Sequence, residues 1–203
     1  MERNFTPELQ KAIDFHGHFC PGLAIGYRAT KAALAQLEAE RAADEELIAI
    51  VESDGCGIDA VQALLGCTIG KGNLIYKDYG KQAYTIACRN TNKGVRVAMK
   101  ADVFALSPEQ EKLMNAVFGG QATEEQGAAF QKIQNERIDK LLTMPDGELF
   151  KIEKVEPNLP SKAKIFKSVV CEYCGEKVME PRARLKEGKI ACLGCFEDYS
   201  RGW

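Results

Sequence analysis

YTIACRN (residues 84–90) and VRVAMKA (residues 95–101), joined by TNKG (residues 91–94), decide how this chain folds. Tyr84, Ile86 and Cys88 alternate with smaller or polar residues, and Val95 and Val97 repeat the pattern across the connection. Period-two alternation on both sides of a short Asn- and Gly-containing segment predicts a β-hairpin with glycine in the turn. Cys88 falls on the core face. Upstream, LIAIV (residues 47–51) is a continuous apolar run of strand length, as expected of a strand buried on both faces.

Helical signals surround these strands. Thr6-Pro7 reads as an N-cap followed by proline at the first helical position, with Leu9, Ala12, Ile13 and His16 on one face. A second helix opens at Pro21, with Leu23, Tyr27, Thr30, Leu34 and Leu37 as its inward stripe. A short one follows Cys56 through Val61, Leu64 and Leu65. Ser107–Gln110 and Thr123–Gln126 are capping boxes, and Phe130, Ile133, Ile138, Leu141 and Leu142 keep helical spacing up to Met144-Pro145-Asp146-Gly147. Helices around a mainly antiparallel sheet define an α+β core over residues 1–155. Pro157 and Pro160 among lysines mark a linker over residues 156–166, and residues 167–203 form a small module.

Cys171-x-x-Cys174 and Cys192-x-x-Cys195 are separated by seventeen residues. Paired C-x-x-C turns at this spacing aim four thiolates at one tetrahedral ion, so the quartet predicts structural zinc in a zinc-ribbon or treble-clef-like module. So small a segment buries too little apolar surface to fold unaided, and zinc supplies about 10–16 kcal/mol in small zinc peptides. Free or disulfide-linked cysteines, an iron ion and a redox dithiol pair are the competing readings.

Both histidines of the chain lie in HGHFCPG (residues 16–22). His16, His18 and Cys20 face one side if this segment is extended. Cys20 and Cys56 each precede a predicted helix, where backbone N–H groups and the helix dipole favour thiolate. Brought together, His16, His18, Cys20 and Cys56 would hold a second transition metal, zinc among the candidates. Alternatively they would carry thiol or metal-assisted chemistry, with Cys20 and Cys56 as reactive groups and Asp54 or Asp59 as general base. The bland alternative places His16 on an apolar helix face and Cys56 in a packed loop. Cys67 follows a helix end and is ambiguous. Gly66–Gly72 resembles a phosphate loop but lacks the spacing and the hydroxyl of a Walker motif; a tight turn packed against the pocket is what it suggests.

Eight cysteines without an apolar leader suggest a reduced, cytoplasmic setting, and no stretch is long enough for a membrane helix. The overall charge of −2 gives no general attraction to nucleic acid. Residues 161–203 hold nine Lys/Arg against six Asp/Glu, net +3, leaving −5 for the rest. A regulator that uses this basic tail, with Lys162, Lys164, Lys167, Arg182, Arg184, Lys186 and Lys189 on phosphates or on a protein, is the weaker reading beside a solvated basic face.

HGHFCPG, SDGCGIDAVQALLGCTIGKGNL (residues 53–74) and YKDYGKQAY (residues 76–84) together resemble the FmdE family of formylmethanofuran dehydrogenase proteins over roughly residues 10–150, and the trailing module resembles one fused to many members. The resemblance implies an α+β core, homodimers and a Cys/His-lined pocket. His16, His18, Cys20 and Cys56 match its motif positions, with Asp59, Gln62, Asn73, Asp78 and Lys81 as further polar matches. It also implies a metal-binding accessory role beside a molybdenum- or tungsten-dependent formylmethanofuran dehydrogenase. No pterin domain or iron–sulfur run is visible, so formylmethanofuran oxidation by this polypeptide itself is not expected.

Overall fold

The computed structural model describes residues 5–41, 43–197 and 199. The chain divides into two compact units, Met1–Ser161 and Lys162–Trp203. The first is α+β. Helices α1 (Pro7–His16) and α2 (Pro21–Leu37) lead into β1 (Leu47–Val51), α3 (Gly57–Leu65) and β2 (Leu74–Tyr76). The hairpin β3 (Ala83–Cys88) and β4 (Lys93–Met99) follows, then α4 (Pro108–Phe118), α5 (Glu124–Thr143), α6 (Asp146–Leu149) and β5 (Phe150–Val155).

The five strands are ordered β2-β1-β3-β4-β5, all antiparallel except the β1–β2 pair. β1 is buried along its whole length because it is flanked on both sides, which is why its sequence is apolar without alternation. In the hairpin the register differs from the expected glycine turn. Gly94 pairs with Ala87 inside the ladder, and Asn92 takes the left-handed conformation at φ 52°. Asn tolerates that region through local hydrogen bonding of its short side chain, so the turn does not use the glycine beside it.

Helix entrances follow the capping signals. Thr6 accepts from the Leu9 N–H, and Ser107 and Thr123 each close a full capping box. Thr6 Oγ1 also meets the Tyr27 hydroxyl at 3.1 Å, tying the start of α1 to α2. At the far end of α5, Arg28 from α2 donates to the carbonyls of Leu141 and Met144 and pairs with Asp146 at 2.6 Å, supplying donors for the exposed helix C-terminus. The core gathers Ala24, Ala29 and Ala33 of α2, Val61 and Leu65 of α3, and Tyr84, Ile86, Val95 and Val97 of the hairpin. Cys88 sits half-buried at the strand end against this cluster. Cys67 is fully buried, its thiol donating to the Leu47 carbonyl at 3.5 Å, and burial pushes its pKa up to about 11. It is therefore an inert packing residue.

Glu52, at the end of β1, is buried and accepts two hydrogen bonds from Arg96 of β4, at 2.7 and 2.9 Å. The Arg96 hydrogen bonds hold its carboxyl below the ordinary value of 4.5, against the opposing effect of burial. The stabilisation is therefore complete above that value and is lost as pH falls through the lower folded-state pKa. Glu52→Gln is expected to cost about 1.5–3 kcal/mol at neutral pH. It should also flatten the acid side of the stability profile, read by urea unfolding at neutral and acid pH; a profile identical to wild type would show the pair to be without effect.

The second unit consists of two small hairpins, β6 (Ser168–Val170) with β7 (Lys177–Met179) and β8 (Arg184–Lys186) with β9 (Lys189–Ala191). Among its described residues only Cys171 and Ala191 are buried hydrophobics. No helix among the described residues is long and apolar enough to cross a membrane.

Candidate metal centres in the core and tail

Three helices converge on one point of the core. α1 ends at His16, and Gly17, at φ 91°, returns its N–H to the Ile13 carbonyl at 2.7 Å. That left-handed step suits glycine and swings the chain out of the helix. The chain re-enters helix at Cys20, the N-cap of α2, whose Sγ accepts from the Leu23 N–H at 3.4 Å. A thiolate there would gain both a hydrogen bond and the field of the helix N-terminus. His16 Nε2 lies 3.8 Å from Cys20 Sγ, and Cys56 arrives from the start of α3. One ligand atom from each of His16, Cys20 and Cys56 falls within 4.8 Å of the others.

What lets α2 and α3 come this close is a pair of glycines. A Cβ on Gly26 would fall inside the Gly57 backbone, and one on Gly57 would collide with the Tyr84 hydroxyl. A Cβ on Gly22 would press to 3.1 Å from that of Cys56. Cys20 and Cys56 thus cap two helices whose backbones touch.

Asp59 orients the imidazole. Its Oδ2 lies 2.6 Å from His16 Nδ1, and its Oδ1 accepts from Gln62 Nε2 at 3.1 Å. A carboxylate on Nδ1 keeps the proton there and directs the Nε2 lone pair toward the two sulfurs, as carboxylates behind metal-bound histidines do. Asp59 is therefore committed to His16, which leaves Asp54 as the uncommitted carboxylate of the two general-base candidates.

Two expectations change. His18 does not join the cluster: the segment from residue 16 to 20 is a helix end, a left-handed turn and a helix start rather than an extended run. Its exposed ring stacks on that of His16 instead, with centroids 4.5 Å apart. Nor does Cys56 gain thiolate character from its helix, since its thiol is pushed up by burial and by Cys20 beside it. It sits at φ −51°, ψ −24° with no cap hydrogen bond, so no backbone N–H of the helix start reaches its sulfur. Two thiols that disfavour each other's ionisation, next to a lone imidazole nitrogen, form a donor set that a bound cation would relieve. The chemistry of the residues fits a soft transition metal.

A cleft of about 350 Å³ opens beside the cluster, with His16, Cys56, Asp54 and Asp59 in its wall. Tyr76 and Ile69 also line it. Neither stands out in the sequence, because an isolated exposed aromatic or aliphatic residue carries no pattern. Of the other polar matches, Asn73 is fully buried and structural: it accepts from the Thr68 N–H and donates to the carbonyls of Asp44 and Leu47. Asp78 and Lys81 are exposed on the segment between β2 and β3. Lys71 of the glycine-rich turn donates to the Asp44 carbonyl at 3.2 Å.

In the tail, ligand atoms of Cys171, Cys174, Cys192 and Cys195 all lie within 4.8 Å of one another. The Cys192 N–H donates to Cys171 Sγ at 3.3 Å. Backbone N–H groups of residues 174 and 192 lower the Cys171 thiol to about 6, whereas hydrogen bonding from Cys192 and Cys174 raises Cys195 to about 12. Four sulfurs converge here and leave no position to an outside ligand, as in a structural site.

An α+β core with a thiol–imidazole cluster at its helix entrances, joined to a four-cysteine finger, defines a two-module metal-binding class. The FmdE family model, described as FmdE of the molybdenum formylmethanofuran dehydrogenase operon, matches residues 15–151, and the prokaryotic dksA/traR C4-type zinc finger matches residues 164–201. The chain belongs to the FmdE family and carries a C-terminal zinc finger with four cysteine ligands. It is 38% identical over 205 residues to a protein of Archaeoglobus fulgidus described as a probable S-adenosyl-L-methionine-binding protein. That alignment covers 98% of this chain but 55% of the relative, so the chain spans about half its relative's length. It also resembles the crystal structure of an FmdE-like protein of tungsten formylmethanofuran dehydrogenase type from Syntrophus aciditrophicus, with 25% identity and a TM-score of 0.62, over 92% of this chain and 89% of that one.

Proposed function

We propose that this protein is a metal-binding accessory factor of molybdenum- or tungsten-dependent formylmethanofuran dehydrogenase systems, acting as a homodimer with a second metal in its core. The observation that carries the core site is the convergence of His16 Nε2, Cys20 Sγ and Cys56 Sγ from three helices, with Asp59 fixing the imidazole. A metal there would supply a Lewis-acidic centre at the wall of the cleft. His16, Cys20 and Cys56 would hold it, and Gln62 keeps Asp59 in place. The dimer is supported by α4, which has no buried residue, packs only on α5 among the major element contacts, and leaves Phe118 exposed beside Phe130.

The test counts metals in pure full-length protein. Two per chain are expected, falling to one in the double variant Cys20→Ser, Cys56→Ser. One metal per wild-type chain, all of it lost with the tail cysteines, would remove the core site. Light scattering on the same sample should give twice 22.4 kDa; a mass of 22.4 kDa would remove the dimer.

A second reading takes its ligand from the Archaeoglobus relative: binding of S-adenosyl-L-methionine. It is favoured by identity that runs along nearly the whole of this chain. Equilibrium dialysis of this chain alone decides it, since saturable binding would place that function in the shared half and none would place it elsewhere.

A further inference from the structure

The core cluster offers three ligands where the tail offers four. Zinc sites with four protein ligands are closed, whereas those with three keep a position for a molecule from outside. His16 and Cys56 form part of the cleft wall, so a molecule lodged in the cleft meets the cluster directly. The lining of that cleft narrows what the molecule can be.

Its charged lining groups are Asp54 and Asp59, with no lysine or arginine among the residues that form it. Carboxylates and phosphates would enter against like charge, without a cation to offset it. The remaining walls are largely apolar: Val51, Ile58, Leu74, Ile69 and Tyr76. Ile69 is 77% exposed and Tyr76 47%, large apolar surfaces at the mouth of a concave site. Two thiolates and an imidazole form a soft donor set, which selects metals that also prefer sulfur as a further ligand.

We infer that the cleft binds a small organic thiol on an apolar or aromatic body, its sulfur taking the remaining position on the metal held by His16, Cys20 and Cys56. The inference rests on the core-metal reading above. On binding, the thiol releases its proton to solvent and the sulfur lone pair forms the new bond; no electron is transferred and no other bond breaks.

The test uses the full chain loaded with cobalt(II), whose visible spectrum reports its sulfur ligands, and benzyl mercaptan as the probe. The double variant Cys20→Ser, Cys56→Ser isolates the tail's contribution. Thiolate-to-cobalt absorption is expected to grow in wild type, saturate at one probe per chain and stay unchanged in the double variant. Phenylacetate and benzyl alcohol should leave the spectrum as it was. Ile69→Glu should weaken the probe at least about tenfold by removing apolar wall, with the cobalt count unchanged. Two cobalt ions per wild-type chain with no response to the thiol would overturn the inference, as would an equal response to phenylacetate. So would a response that appears only in His18→Ala, since the chain would then be closing its own site. A single cobalt per wild-type chain would instead overturn the core-metal reading itself.

Discussion

Serine in place of Cys192 unfolds residues 162–203 and leaves the core folded. The size of the effect follows from how little else holds the module. Its strands are three residues long, and Cys171 and Ala191 are the only buried hydrophobics among its described residues. So small a unit recovers far less from burial than it loses in chain entropy. Zinc offsets the difference with about 10–16 kcal/mol in comparable peptides, and that contribution depends on all four thiolates. Cys192 also lends its N–H to Cys171 Sγ, so the ligand and its neighbour's hydrogen bond sit on the same turn. Limited proteolysis should cut the variant throughout residues 162–203 and stop at the core, with one zinc fewer per chain. A proteolysis pattern and zinc content equal to wild type would show that the module stands on its own packing.

Gly26→Leu should have an effect of similar size on the other unit. The added side chain would occupy space already held by the Gly57 backbone, and rigid backbone atoms cannot yield as a flexible side chain does. α2 and α3 would have to separate, lifting Gly57 off the Tyr84 hydroxyl and parting Cys20 from Cys56. Overpacking in a tight core costs about 1–3 kcal/mol and more where nothing can give, against a total stability of about 5–15 kcal/mol for a typical domain. Gly26→Leu is therefore expected to leave no cooperative thermal transition for the core. Gly26→Ala should retain a weakened one and lose core metal first. Gly70→Ala provides the contrast, since a Cβ there meets nothing within 4 Å and should change the melting curve little. A Gly26→Leu protein that melts like wild type would refute the account of how the site is assembled.

The elements legible in the sequence are those whose signals are local. Thr6-Pro7, the two capping boxes, LIAIV and the alternation around Ile86 each depend on neighbours a few residues away, and each structure forms where expected. β2 and β5 are not legible. Leu74–Tyr76 is too short to show a period and becomes a strand only by lying parallel beside β1. Phe150–Val155 carries lysines at exposed positions and runs straight into the prolines of the linker, which hides its partnership with β4. The site divides in the same way. Cys20 and Cys56 are readable because a cysteine before a helix is a local pattern. That Asp59 serves His16, that His18 stacks beside the cluster and that Glu52 binds Arg96 all depend on contacts across more than one element, or on a backbone turn that spacing alone does not reveal.

The His16–Asp59 pair, the Cys20 cap and the Cys56 turn draw on α1, α2 and α3, and that distribution has a thermodynamic meaning. An ion gripping all three helices at once can bind only when they are assembled, because the unfolded chain scatters the donors. Its chemical potential then enters the folding equilibrium, adding a stabilisation that grows with the logarithm of free ion over dissociation constant once the site is mostly filled. Assembly of the helical layer and availability of the ion become conjugate quantities. Whatever delivers or withdraws the ion also tightens or loosens the part of the molecule that faces the cleft.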